Sequence, residues 1–223
     1  MSQDKWAAVD RYLTDLLVQP DSALDGALKA SVDADLPPIN VSPPQGKFLH
    51  ILAKVSGAKR ILEIGTLGGY STIWLARALP SGGRLISLEI DPAHAAIAAK
   101  NIARAGLSKR VHIRLGSAID TLPKLLSEGL GPFDLIFIDA DKPSNPEYFA
   151  WALRLSRKGS IIVIDNVVRN GAVVDAKSRD ASVMGVRRLN QAMAVEKRVI
   201  ATTLQTVGSK GYDGFAVALV VSD

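Results

Sequence analysis

Two short apolar runs, Ile136-Phe-Ile-Asp139 and Ile161-Ile-Val-Ile-Asp165, stand one helix length apart, and each ends on an aspartate. Continuous apolar runs of this length read as strands buried on both faces, the kind found in parallel sheets. The pattern recurs upstream. Residues 60–65, 84–90, 111–115, 133–139 and 160–165 read as strands, and 70–79, 92–105, 118–127 and 146–155 read as helices between them. Such alternation predicts an α/β fold: a parallel sheet with helices on both faces. The end of the chain differs. Residues 185–195 read as a helix, then 198–206 and 214–220 as strands joined by Gly208-Ser-Lys-Gly211-Tyr-Asp. That link is too short for a crossover helix, so the last two strands should form an antiparallel hairpin. The expected sheet is seven-stranded and mostly parallel.

Ahead of the first strand the apolar spacing is helical. Trp6, Val9, Tyr12, Leu13, Leu16 and Leu17 mark one helix, and Asp21 and Ser22 offer a cap for a second. Leu36-Pro37-Pro38-Ile39 stops it. A third follows Ser42-Pro43-Pro44, carries Phe48, Leu49, Ile51, Leu52 and Val55, and ends near Gly57. We expect one domain over 1–223, with 1–57 as an N-terminal helical extension and 58–223 as the cofactor-binding and catalytic core.

Composition narrows the class. The 223 residues are 48% hydrophobic and 22% charged, which is globular rather than disordered. No apolar run reaches 18 residues, so no transmembrane helix is expected, and the N-terminus lacks the features of a signal peptide. The absence of cysteine excludes disulfides and thiolate zinc sites and makes the cytoplasm the default location. The net charge of +5 is spread over small pairs such as Lys109-Arg110 and Arg187-Arg188. These read as solvated helix ends. No aromatics are interleaved for base stacking, so nucleic acid is disfavoured as a partner and anionic small substrates stay open.

In open α/β sheets ligands sit outside the carboxyl ends of the strands. Neighbouring strand ends would gather Asp139, Asp165 and Asn166 around one point. Oxygen ligands without His or Cys suit a hard cation such as Mg²⁺ or Ca²⁺. Lys142 would stand beside it, and a cation next to a base is a catalytic arrangement. The stretch Ile61-Leu-Glu63-Ile-Gly65-Thr66-Leu67-Gly68-Gly69-Tyr70-Ser71 follows a strand and opens a helix. Its glycines allow a tight turn and close ligand approach. Their spacing is not the G-x-G-x-x-G of dinucleotide binders. Glu63 suits an amine-bearing ligand better than a pyrophosphate. Glu89, about 20 residues past the loop, has the position of a ribose-binding carboxylate. Leu115-Gly116-Ser117-Ala118 leaves room for an adenine ring, although Ser117 alone also reads as a helix N-cap.

Together, Glu63-Ile-Gly65 with Gly69-Tyr70-Ser71, Asp139-Ala-Asp141-Lys142, and Asp165-Asn166 with Asn170-Gly171 resemble the class I S-adenosylmethionine (SAM)-dependent methyltransferases of Rossmann-like fold. More narrowly, they resemble the metal-dependent catechol and caffeoyl-CoA O-methyltransferases in a bacterial form. The resemblance implies that Val41, Glu63, Gly65, Tyr70 and Ser71 line the methionine part of the cofactor. Glu89 would hold the ribose and Ala118 border the adenine, with Thr66, Gly69, Ser117 and Asp139 as further cofactor contacts. Asp139, Asp165 and Asn166 would ligate the metal, Mg²⁺ first with Ca²⁺ or Mn²⁺ as alternatives. Lys142 matches the catalytic lysine. The activity implied is methylation of a hydroxyl on a small vicinal dihydroxy aromatic. A homodimer is implied as well, with the N-terminal helices as interface candidates.

Elementary chemistry supports these roles. A catechol hydroxyl is a poor nucleophile, and a divalent cation stabilises its oxyanion. A nearby cation also favours a neutral lysine, making Lys142 a base, and the sulfonium methyl needs chiefly in-line positioning. One departure concerns specificity. Asn145 stands where plant caffeoyl-CoA enzymes carry an aromatic residue, so the substrate wall should differ. The segment 173–185 should form a loop near the site. His50, His94 and His112 lack a ligand partner and read as surface or core residues. Trp74 and Trp151 read as core, Trp6 as an interface or site-covering residue, and Tyr212 in the hairpin turn equally as a substrate contact or as a plain turn tyrosine. The competing readings are a methyltransferase of another acceptor, such as RNA, and a non-catalytic cofactor-binding protein.

Overall fold

In the computed structural model, which describes residues 2–222, three helices come first: α1 (Gln3–Leu17), α2 (Ser22–Asp33) and α3 (Pro43–Val55). The alternating part follows as β1 (Arg60–Ile64), α4 (Tyr70–Ala78), β2 (Arg84–Glu89), α5 (Pro92–Arg104), β3 (Val111–Leu115), α6 (Ala118–Ser127) and β4 (Leu135–Ile138). It continues through α7 (Asn145–Arg154), β5 (Ile161–Asp165), α8 (Ala181–Val195), β6 (Val199–Gly208) and β7 (Gly211–Val220). Short 3₁₀ turns span Lys142–Ser144 and Ala172–Val174.

The seven strands form one sheet in the order β3-β2-β1-β4-β5-β7-β6. The first five pair in parallel, and β7 runs antiparallel to both β5 and β6. From β1 the chain moves outward to β2 and β3, then returns to β1's other side with β4. The crevice between β1 and β4 is therefore the switch point at which open α/β sheets bind ligands. Register sets its contents. Ile138 pairs with Ile64 on one side and Ile164 on the other, so the next residues, Gly65, Asp139 and Asp165, emerge side by side.

The sheet divides two apolar layers. Leu24, Leu49, Trp74, Ala98 and Ile102 pack on the face covered by α2 to α5. Leu122, Leu125, Phe149, Val186 and Leu189 pack on the face covered by α6 to α8. Ile61 joins the first layer while Leu62 and Ile64 join the second, the period-2 alternation of a strand buried on both sides. Helix starts follow their caps. Asp21 accepts from the amides of Ala23 and Leu24, and Asp91 from those of Ala93 and His94.

Two boundaries differ from expectation. Helix α8 starts at Ala181, four residues before Gly185, because the Asp180 carboxylate caps it through the amides of Ser182 and Val183. Half of the expected 173–185 loop is thus helix or 3₁₀ turn. The hairpin is also tighter than six loop residues. Its strands extend to Gly208 and Gly211 around Ser209-Lys210, with Gly211 at φ 99°. Among the described residues no helix is long and apolar enough to cross a membrane.

Candidate active site

Two cavities open at the carboxyl ends of the strands. The first, of about 610 Å³, is walled by the glycine loop, the ends of β2 and β4, and the start of α6. The second, of about 460 Å³, lies between residues 38–48, the loop after β5 and the hairpin turn. They share Ile39, Asn40, Val41, Asn166 and Arg169 as a common seam. Asp139 and Lys142 line the first, Asp165 the second, and Asn166 both.

The glycine loop is shaped by its neighbours. Gly65 has φ 99°, and a Cβ there would lie 2.1 Å from the Asp139 carbonyl oxygen, so only glycine lets β1 and β4 end this close. Glu89 is 7% exposed and accepts four backbone amides: Thr66 and Leu67 on one oxygen, Ile90 and Asp91 on the other. It reaches the cavity wall and at the same time ties the loop to the end of β2. His94, one turn into α5, also lines this cavity, with Nδ1 3.7 Å from Glu89 Oε1. His94, expected from the sequence to be a surface or core residue, is thus part of the cavity wall. Its position in the first turn after a ribose-type carboxylate was the available signal.

Several expected contacts sit differently. Glu63 is 0% exposed and lies under the cavity rather than on its wall. Its carboxylate accepts hydroxyls from Ser71 (2.7 Å), Thr72 (2.5 Å) and Ser87 (2.7 Å). The alternation of β1 explains this, since Glu63 faces the α4 layer. Burial, and more weakly the Asp139 charge, push its carboxyl up to about 7 against those three hydroxyls. Ser71 therefore presents Glu63 to the cavity at second hand. Gly69 is not on the wall either: it turns the chain at φ 81° and lies against Ala98. The Thr66 hydroxyl is spent on Ser87 and on the Leu88 carbonyl, leaving only its backbone side to the cavity. Val41, Gly65, Tyr70, Ser71, Ser117, Ala118 and Asp139 do line it. Ser117 holds the N-cap position of α6 without making a side-chain capping bond, so its hydroxyl stays available.

At the seam, Lys142 Nζ donates to Asp139 Oδ1 at 2.9 Å, and the lysine is 9% exposed. Gln45 of α3 donates to Asp165 Oδ2 at 2.7 Å, fixing a carboxylate that is itself 6% exposed. Burial, then the Asp139 charge, raise the Asp165 carboxyl above the usual range, against the pull of Lys142, Asn166 and Gln45. Two neighbouring carboxylates with the single Lys142 cation beside them leave a net negative charge, which suits a hard divalent cation. Among the described residues no three His, Cys, Asp or Glu side chains are placed to hold a metal. The seam offers two carboxylates, Asp139 and Asp165, together with Asn166, and these are the residues that could hold such a cation. Asn166, at φ 57°, adopts the left-handed turn that brings its side chain back to the seam. Asp141 lines the first cavity but is committed locally: it caps the 3₁₀ turn through the Ser144 amide and accepts the Tyr148 hydroxyl. Gln45 and Tyr148 were not read from the sequence. Gln45 carries no local signal, because it meets Asp165 across 120 positions.

Other residues resolve plainly. Asn145 is fully buried at the start of α7 and lines neither cavity. Tyr212 lines the second cavity and donates its hydroxyl to Gln205. Ser182 of the 173–185 segment lines the first. His50 bonds the Trp74 carbonyl at 3.0 Å, and His112 lies exposed on the edge strand β3. Trp74 is buried, whereas Trp6 is half-buried and Trp151, also half-buried, stacks under Arg154 at 4.3 Å.

A seven-stranded sheet with a reversed terminal hairpin and a glycine-loop cavity at its switch point defines the Rossmann-like class I methyltransferase fold. The chain belongs to the O-methyltransferase family, whose profile matches residues 18–218. It is 57% identical over 220 residues to a catechol O-methyltransferase of Niastella koreensis, covering 99% of this chain and all of that one. Among solved structures, an O-methyltransferase from Bacillus cereus in complex with SAH superposes at a TM-score of 0.97 with 56% identity, covering 98% of this chain and 100% of that one. The O-methyltransferase TomG from Streptomyces achromogenes, involved in tomaymycin synthesis and in complex with SAM, superposes at 0.97 with 53% identity and full coverage of both chains.

Proposed function

We propose that this protein transfers a methyl group from SAM to one hydroxyl of a catechol, with a divalent cation bound at the seam of the two cavities. One observation carries the reading: Asp139, Asp165 and Asn166 straddle that seam, with the Lys142 ammonium on Asp139. The name of the Niastella koreensis relative, a catechol O-methyltransferase, supports the catechol part of the reading.

Bound SAM supplies an electrophilic sulfonium methyl. A bound cation, held by Asp139, Asp165 and Asn166, supplies charge that binds and acidifies the diol. The chain's own residues do the rest. Ser71, backed by Glu63, receives the cofactor's amino-acid end. Glu89 shapes the loop and accepts from the ribose, while Ser117 and Ala118 border the adenine. Gln45 keeps Asp165 oriented towards the seam. Lys142, as the neutral amine that a cation bound at Asp139 would favour, takes the hydroxyl proton as the O–C bond forms and the S–C bond breaks, leaving a neutral thioether. Ile39 and Val41, on the walls of both cavities, limit water at the point of transfer.

The test is methyl transfer to catechol with Mg²⁺ and with chelator. Transfer that disappears with chelator supports the reading, and transfer that persists ends its metal part. Asp139→Ala is expected to lower kcat by at least about 100-fold while SAM affinity stays within a few-fold, read by calorimetry.

Residues 1–57 belong to the same catalytic unit in this reading, since Leu24, Ala27 and Leu49 share one apolar layer with Ile61 and Leu75. A homodimer is part of it too. The edge strand β6 leaves Ile200 (67%), Leu204 (51%) and Val207 (51%) exposed, and α1 leaves Tyr12, Leu16 and Leu17 exposed. A long apolar sheet edge of this kind calls for cover. The chain depends on no disulfide, which suits a cytoplasmic setting.

A further inference from the structure

The second cavity holds two cations that the proposed chemistry does not use. Arg169 lines both cavities, and its Nε is buried with no hydrogen-bond partner among the described residues. Its ion pair is with Asp213, at 3.8 Å, too long for a hydrogen bond. Asp213 is itself occupied, because its Oδ1 accepts the amides of Val168, Arg169 and Gly214, each at 2.9 Å. Lys210, in the hairpin turn, donates to the Pro38 carbonyl at 3.0 Å, a neutral acceptor, and burial lowers its pKa. The other carboxylates of this cavity are committed elsewhere. Asp10 accepts the Ser209 amide, and Asp165 faces the seam with Gln45.

The Arg169 side chain is 35% exposed on the cavity wall, its Nε is buried without a partner, and its only ion pair among the described residues is the long one to Asp213, so the guanidinium is poorly satisfied within the fold and open to an anionic ligand. Arginine's planar fork matches a carboxylate in particular. Arg169 follows Asn166 by three residues, so their Cα atoms lie at most about 11 Å apart. A ligand that reaches Asn166 therefore lies within reach of Arg169.

We propose that the acceptor cavity selects a catechol bearing a carboxylate, with the diol at Asp165 and Asn166 and the carboxylate held by Arg169 and Lys210. This rests on the catechol reading above and adds the charge of the substrate. Arg169 and Lys210 are specificity-determining residues and take no part in the methyl transfer itself.

The test compares 3,4-dihydroxybenzoate with its methyl ester, which keeps the diol and removes the charge. The wild-type kcat/KM is expected to favour the acid by about 10-fold or more. Arg169→Gln should lower kcat/KM for the acid by about 30-fold, mainly through KM, and for the ester by no more than a few-fold. Arg169→Lys should restore part of the acid preference, and Lys210→Met should lower it further. Calorimetric binding of the acid to cofactor-free protein with Mg²⁺ should weaken in the same order. Equal use of acid and ester by the wild type would overturn the proposal while leaving catechol methylation intact. So would a parallel fall for both acceptors in Arg169→Gln with a raised KM for SAM, which would assign Arg169 to the cofactor's own carboxylate. Methylation of neither acceptor would overturn this proposal and the catechol reading together.

Discussion

Glu63 shows what a single side chain does when the backbone decides its surroundings. Read in sequence, it is an acid before a glycine loop and belongs on the ligand. In the fold it is sealed under Ser71, Thr72 and Ser87, with its carboxyl raised to about 7 chiefly by burial. The sign of the consequence is definite. A buried acid with a raised pKa keeps its proton better in the folded state than in the unfolded chain. Its contribution is fully present below the ordinary carboxylate range and is lost as pH climbs through about 7. Asp165, raised in the same direction, adds to that loss. The melting temperature of cofactor-free, metal-free protein should therefore fall between pH 5 and pH 8. Glu63→Gln, which keeps hydrogen-bonding capacity and removes the charge, should flatten part of the slope. A variant with the wild-type slope would show that Glu63 does not titrate in this window. The aspartates were legible at this scale, because a strand end is a local property. Gln45 and His94 were not, because their partners come from other elements.

Among the elements, α8 and the 3₁₀ turn at Lys142–Ser144 illustrate a contact that overrides propensity. Glycine inside a helix costs about 1 kcal/mol against alanine, which is why Gly185 reads as a helix start. The helix instead begins at Ala181 and carries Gly185 against the turn. A Cβ there would stand 2.2 Å from the Lys142 carbonyl oxygen and 2.7 Å from Pro143 Cα. Both are backbone or backbone-linked atoms that cannot rotate aside. Overpacking of about 1–3 kcal/mol should outweigh the gain in propensity. Gly185→Ala is thus expected to lower the melting temperature by several degrees, despite the better helix former. It should also lower kcat more than 10-fold by displacing Lys142, with SAM binding changed only a few-fold. Calorimetry and turnover on the same preparation would separate these effects, and an unaltered kcat would count against α8 as the support of Lys142.

For the molecule as a whole, the sheet ends in two open edge strands, β3 and β6, and β6 is the longer and exposes more large apolar side chains. Eight of its ten residues are exposed, Ile200 and Leu204 among them. Light scattering should find a dimer, and Ile200→Asp combined with Leu204→Asp should shift it to monomer. A wild-type monomer at micromolar concentration would remove the dimer from the proposed function. The order of strands and helices, the three-helix extension, the reversed hairpin and the residues Asp139, Lys142, Asp165 and Asn166 were all determined by the sequence alone. Each is written in local periodicity or at a strand end, where neighbours along the chain are also neighbours in space. The tertiary structure alone decided that Glu63 lies beneath the cavity, that Asn145 is interior, and that Gln45 holds Asp165. It alone also brought Arg169 and Lys210 from separate loops to one cavity. The reason is physical: strand register and helix packing, set by the burial of whole faces, join residues that no spacing along the chain connects.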